Sequence, residues 1–167
     1  ELLRITSAKP PKGEVTLVKY TGEGGAVVIP AKVSGLPVTA IKDTAFQNSR
    51  GVTSVAVPNS VTYIAPNAFK NCPQLQRLNL GSIVSIPDDM LNGCTNLVSV
   101  SVPNTVADIG YRAFNGCDRL REVVLRTGVK IIKNEAFQNC SNLMSIAIPN
   151  SVTNIGAAAF RNCTRLD

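Results

Sequence analysis

Three stretches of this chain are near-copies of one another: "SVAVPNSVTYIAPNAFKNC" at 54–72, "SVSVPNTVADIGYRAFNGC" at 99–117 and "SIAIPNSVTNIGAAAFRNC" at 145–163. A period of this size marks a stacked array, in which each unit buries its apolar face only against its neighbours. The cysteines keep the same period. Cys72, Cys94, Cys117, Cys140 and Cys163 stand 22, 23, 23 and 23 residues apart. Ala-Phe recurs at 45–46, 68–69, 113–114, 136–137 and 159–160, with Met90-Leu91 in the remaining slot and Ser49 where a first Cys would fall.

Each unit opens on an L-x-x-L-x-L pattern such as Leu75, Leu78, Leu80 or Leu120, Val123, Leu125. Its alternating, β-branched end predicts a strand. Pro30, Pro58, Pro103 and Pro149 close four of these strands, because proline donates no ladder hydrogen bond, and the following Asn-Ser or Asn-Thr suits a turn. A second apolar pair, such as Val106 and Ile109, predicts a short second strand, and Ala-Phe-x-x-Cys predicts one helical turn pointing Phe and Cys inward. The expected fold is an α/β solenoid: leucine-rich, right-handed parallel-strand coils of about 23 residues with a short N-terminal β cap. Phe46, Phe69, Leu91, Phe114, Phe137 and Phe160 then form one core ladder, and Cys72, Cys94, Cys117, Cys140 and Cys163 another. In that ladder Cys serves as a small buried hydrophobe. Stacked coils would bring neighbouring cysteines close enough for a bond, but an odd count and the lack of any CxxC pair argue against a disulfide framework or a zinc site.

The motif L-x-x-L-x-L-P-x-S-V-x-x-I-G-x-x-A-F-x-x-C is similar to the 23-residue leucine-rich repeat of the BspA-like, or Treponema-type, family. The stretch "YTGEGGAVVIPAKVSGLPVTAIKDTAF", residues 20–46, resembles that family's first unit, with five residues inserted before Ala-Phe. The resemblance covers about residues 20–167. It implies a secreted or surface-anchored bacterial protein that acts in adhesion, binding host matrix or plasma proteins or other cells. Two units depart from the pattern, one with Gly81-Ser82 in place of the Pro-Asn-Ser turn and one residue short, the other with Arg126-Thr127-Gly128.

The chain contains no histidine, which removes His-based triads, Cys-His pairs and HExxH sites together. "TGEGG" at 21–25 lacks the Gly-Lys-Ser/Thr ending of a phosphate loop, and Asp88-Asp89 lacks further oxygen ligands at calcium-loop spacing. No catalytic residue, metal or cofactor is expected, and the chain reads as a non-enzyme. Net charge is +6, with few aromatics among the basic residues, so an acidic partner is favoured over nucleic acid. No apolar run is long enough to enter a membrane as a helix.

Two candidate ligand surfaces follow. The residues between the inward positions of the strands project outward, giving a sheet-face set of Arg77, Asn79, Ser99, Ser101, Glu122 and Val124. The second is a basic cluster, Arg119, Arg121, Arg126, Lys130 and Lys133, all within one repeat length. The expected function is a protein-binding module that adheres to a host matrix protein, with a sulfated glycan as another ligand for the basic cluster. The alternative is a structural spacer that presents another domain and has no ligand of its own. Residues 1–25 are expected to form a β-hairpin cap and residues 26–167 about six coils. Leu166 begins a further strand, so the expectation is that the array continues past residue 167; a raw end would invite self-association of an otherwise monomeric chain.

Overall fold

A single coil has no partner for its own backbone groups, so the hydrogen bonds of this fold run between coils. The computed structural model describes residues 13–167 and the strand β1 (Ser7–Ala8). β1 pairs antiparallel with β2 (Val15–Leu17), and β2 lies parallel to β5 (Leu36–Ile41). Between them in sequence come β3 (Gly25–Val28) and β4 (Lys32–Val33), and β4 folds back on β5 across Ser34 and Gly35. Both turn residues have positive φ, 50° and 80°, as a tight two-residue hairpin loop of this hand requires. The β4–β5 hairpin accommodates the insertion: Val27 pairs with Val55, 28 residues on, and Val55 with Leu78, 23 on, a difference of five. The rest of residues 1–25 that precedes residue 13 lies outside the described residues.

From there the coils repeat. The main sheet runs β3, β6 (Val52–Ala56), β8 (Arg77–Asn79), β10 (Ser99–Ser101), β12 (Glu122–Val124) and β14 (Ser145–Ile146), with every pair parallel. The second sheet begins with β2, β5 and β7 (Tyr63–Ile64) and resumes with β9 (Ser85–Ile86), β11 (Asp108–Ile109), β13 (Ile131–Ile132) and β15 (Asn154–Ile155). It is interrupted between β7 and β9, where the inter-coil bonds on both sides of the strand are missing, and one residue accounts for one of them. After each second-sheet strand an N–H reaches the preceding coil: Lys42 to Leu17, Ala65 to Ile41, Gly110 to Ile86, Lys133 to Ile109 and Gly156 to Ile132, all at 2.7–3.0 Å. Pro87 occupies that position behind β9, so Ile64 receives no such donor.

The described residues contain fifteen strands and no helix, which corrects the α/β expectation to an all-β solenoid. The Ala-Phe segments are double turns. Each carries a left-handed residue just before the Ala, or before Met90 (Thr44, Asn67, Asp89, Arg112, Glu135, Ala158; φ 51–60°), and a second four positions later (Asn48, Asn71, Gly93, Gly116, Asn139, Asn162; φ 56–79°). Two such residues per six cannot belong to a right-handed helix. The N–H groups alternate instead: Met90 and Asn92 close local turns on Pro87 and Asp89, whereas Asp89, Leu91 and Gly93 donate to Tyr111, Ala113 and Asn115 of the next coil. The segment is thus a third inter-coil ladder, and the helix is lost to it.

Between the three walls lies a core without a single buried polar or charged side chain among the described residues. Phe46, Phe69, Phe114 and Phe137 are fully buried and stack at coil spacing: Phe46–Phe69 at 4.8 Å and Phe114–Phe137 at 4.9 Å between ring centroids. Tyr20 heads the stack at 5.0 Å from Phe46, and half-buried Phe160 ends it at 5.4 Å from Phe137. Leu91 takes the remaining slot, and the fully buried Met90 beside it replaces the small Ala68 and Ala113 of its neighbours.

Candidate functional site

The pleat of the main sheet sends alternate residues inward and outward, and the ladder register lines the outward ones into columns. One column reads Ser54, Arg77, Ser99, Glu122, Ser145. Beside it, Ala56 pairs with Asn79 and Ser101 with Val124. Arg77, Asn79, Ser99 and Ser101 line one open depression of about 490 Å³, floored by Leu78 and bounded by Gly81 and Pro103. Small side chains on the next strand leave Arg77 standing clear. The short Gly81-Ser82 turn keeps the rim low, held by the Gly81 N–H donating to Asn79 Oδ1 at 3.0 Å. Glu122 is one strand beyond Ser99, and Val124 is exposed beside it. Neither Arg77 nor Glu122 forms an ion pair among the described residues.

The five basic residues do not make one patch. A coil turns a corner every few residues, so sequence neighbours land on different walls. Arg119 and Arg121, just before β12, line an open cavity of about 570 Å³ with Val98 and Asn142. Arg126 sits in the turn after β12, its carbonyl accepting from the Val129 N–H. Lys130 and Lys133 flank β13 on the second sheet, and Lys133 is engaged with Asp88 at 3.3 Å. Arg112 and Glu135 form a further pair at 2.6 Å; that bond raises the Arg112 pKa, and the guanidinium also lies over the Tyr111 ring.

The cysteine column is internal. Cys72, Cys94, Cys117 and Cys140 are fully buried and Cys163 is half-buried. Each thiol donates to the backbone carbonyl of the preceding coil's ladder residue, from Cys72 to Phe46 at 3.0 Å through Cys117 to Leu91 at 3.3 Å and Cys163 to Phe137 at 3.1 Å. Burial pushes the Cys117 thiol well up. Cys140 is raised by its contact with Cys163 and by burial, while the same contact lowers Cys163. Among the described residues no group of three or more His, Cys, Asp or Glu is placed to hold a metal ion, and no helix is long and apolar enough to cross a membrane.

Two features escaped the sequence reading. Tyr20 belongs to the aromatic stack although it lies in the segment assigned to the cap. Val98 and Met144, exposed by 41% and 51%, flank Arg121 in the coils on either side. Their signal was there: all three occupy the position after the first inward Leu of the motif.

Leucine-rich coils with a continuous apolar core and an open sheet face define a class, the parallel β-solenoid scaffold. Within it, the model of the BspA type leucine rich repeat region matches residues 37–167 in six copies, and the chain belongs to that family. The crystal structure of the T. pallidum leucine rich repeat protein, 30% identical, is similar at a TM-score of 0.78 over 98% of this chain and 88% of that one. A leucine rich cell surface protein from Faecalibacterium prausnitzii, also 30% identical, matches at 0.72 over 96% of this chain and 51% of that one. A leucine-rich repeat protein from Eubacterium ventriosum, 26% identical, matches at 0.73 over 90% of this chain and 46% of that one. The chain therefore spans about half the length of the last two. A search of curated proteins finds no match.

Proposed function

We propose that the chain is an extracellular, cell-surface protein-binding module that docks its ligand on the main-sheet face and serves adhesion to a host matrix or plasma protein. The observation that carries this reading is the depression around Arg77. It offers an unpaired guanidinium, an amide and two hydroxyls on a rigid parallel sheet, with no bulky side chain in the way. A rigid platform holds such groups without an ordering cost at binding. Surface placement is supported by the F. prausnitzii relative, itself described as a cell surface protein. In this reading residues 1–25 cap the array and residues 26–167 present the face.

The test is surface plasmon resonance against immobilised matrix proteins, plasma proteins and sulfated glycans at low and physiological salt. Arg77→Glu and Ser101→Trp are run beside the parent chain. Saturable binding of a protein at physiological salt, weakened about tenfold or more by either substitution, is the expected result. Binding to no protein of the panel, or only a background that salt removes, would leave the spacer reading in its place.

A further inference from the structure

We infer that the cavity between Arg119 and Arg121 is a recognition site for an acidic peptide segment, two carboxylates flanked on both sides by apolar residues. This rests on the protein-binding reading and names a second, separate contact for it. Both arginines line the same cavity of about 570 Å³, and neither forms an ion pair among the described residues, although Asp118 and Glu122 are their neighbours in sequence. Unpaired arginines presented in a fixed frame suit carboxylates, which accept two parallel N–H donors from each fork.

The frame is fixed by the coils on either side. The Arg121 N–H donates to Val98 at 3.0 Å, and the Met144 N–H donates to Arg121 at 3.2 Å, so the three form one column of apolar, cationic and apolar side chains. Asn142 borders the cavity with both ends of its amide engaged: Nδ2 donates to the Asp118 carbonyl at 2.7 Å, and Oδ1 accepts from Arg165 Nη1 at 3.0 Å. A third guanidinium is thereby held next to the site.

Spacing selects the occupant. Val98 and Met144 are two coils apart, roughly 9.6 Å at the usual strand separation, which a chain in the polyproline II conformation covers in about three residues while returning i and i+3 to the same face. Apolar residues at i and i+3 then cover Val98 and Met144, and the two acidic residues between them meet Arg121 and Arg119. A sulfated glycan would satisfy the charges but would leave Val98 and Met144 exposed, with no aromatic face for its rings.

The probe is a fluorescein-labelled peptide carrying Leu-Asp-Glu-Leu between Gly-Ser flanks, read by anisotropy at physiological salt on the intact chain. Controls carry Leu-Asn-Gln-Leu or Gly-Asp-Glu-Gly, and unlabelled heparin oligosaccharide is the competitor. The inference expects saturable binding of the first peptide, about tenfold or more weaker for each control and for R119A/R121A. R119K/R121K keeps the charge but loses the fork and falls between, while R126A/K130A binds as the parent does. No saturable binding overturns the inference, as does binding unchanged in R119A/R121A. Equal affinity for Gly-Asp-Glu-Gly, or displacement by heparin at concentrations below the peptide's own dissociation constant, makes the site a general polyanion patch and also overturns it. Failure of the sheet-face reading is told apart by Arg77→Glu, which leaves this peptide's affinity unchanged.

Discussion

Replacing Met90 by Ala and Leu91 by Phe together converts the Met90-Leu91 slot to the pattern of its neighbours, and the two changes should compensate each other. Both side chains are fully buried. Met90 stands where Ala68 and Ala113 stand in the adjoining coils, and Leu91 stands between Phe69 and Phe114. Met90→Ala alone empties that volume and is expected to cost about 2–5 kcal/mol. Leu91→Phe alone forces a ring against an unchanged Met90 and should cost about 1–3 kcal/mol by overpacking. Independent sites would give a double variant destabilised by roughly 5.5 kcal/mol, the sum of the midpoints. If the pair is instead one volume shared between two slots, the ring occupies the space that the methionine leaves. The new Phe then stacks on Phe69 and Phe114, each contact worth about 0.5–1.5 kcal/mol beyond its buried area. The double variant is therefore expected within about 1–2 kcal/mol of the parent, a coupling of roughly 4 kcal/mol that lies above the usual range of about 0.5–3 kcal/mol. Urea unfolding of the parent, both single variants and the double, followed by circular dichroism with a common m-value, closes the cycle. An additive double variant would refute shared packing at this coil.

Pro87→Ala restores the missing donor behind β9, and its new N–H should bond to Ile64 and resist hydrogen exchange to the degree expected of the Gly110 amide, which bonds to Ile86. The gain of about 0.5–1.5 kcal/mol for the bond is offset by about 0.4–1 kcal/mol from the freer unfolded chain, so stability changes little; a freely exchanging amide at 87 would sink the explanation of the sheet break. The cysteine column predicts a pH effect of definite sign. Burial raises the Cys117 pKa, so its contribution is complete below the ordinary thiol value of about 8.5 and is lost as pH rises beyond it, by up to about 1.4 kcal/mol per pH unit. Urea midpoints between pH 7 and 10.5 should fall less steeply in Cys117→Ala than in the parent, and equal slopes would contradict the assignment. Cys163, half-buried with its pKa lowered, should be the first thiol alkylated in the native chain.

The solenoid was legible because successive coils place equivalent residues in equivalent surroundings, so Phe46 and Phe114 answer to the same packing demand. The helical turn was misread for a related reason. Phe and Cys three apart satisfy a helical period, yet three is also the span of a tight turn. The distinguishing signal was the column Asn48, Asn71, Gly93, Gly116, Asn139 and Asn162, the residue types that tolerate left-handed backbone best. The preceding column holds Thr44, Arg112, Glu135 and Ala158, which carry no such signal; Arg112 and Glu135 are held there by N–H bonds to Asn134 and Ala157 of the next coil. On the sheet face, strict alternation made Arg77, Asn79, Ser99 and Ser101 readable one strand at a time. The basic cluster divides in space, because Arg119 and Arg121 line one cavity while Lys130 and Lys133 flank β13. In a solenoid a side chain on a strand has its outward neighbours one repeat away, so Arg121 belongs with Val98 and Met144 and not with Lys130. Charge and hydrophobicity in such a chain are therefore to be read down the columns of the repeat, and a cluster that survives only along the sequence is a corner of the coil.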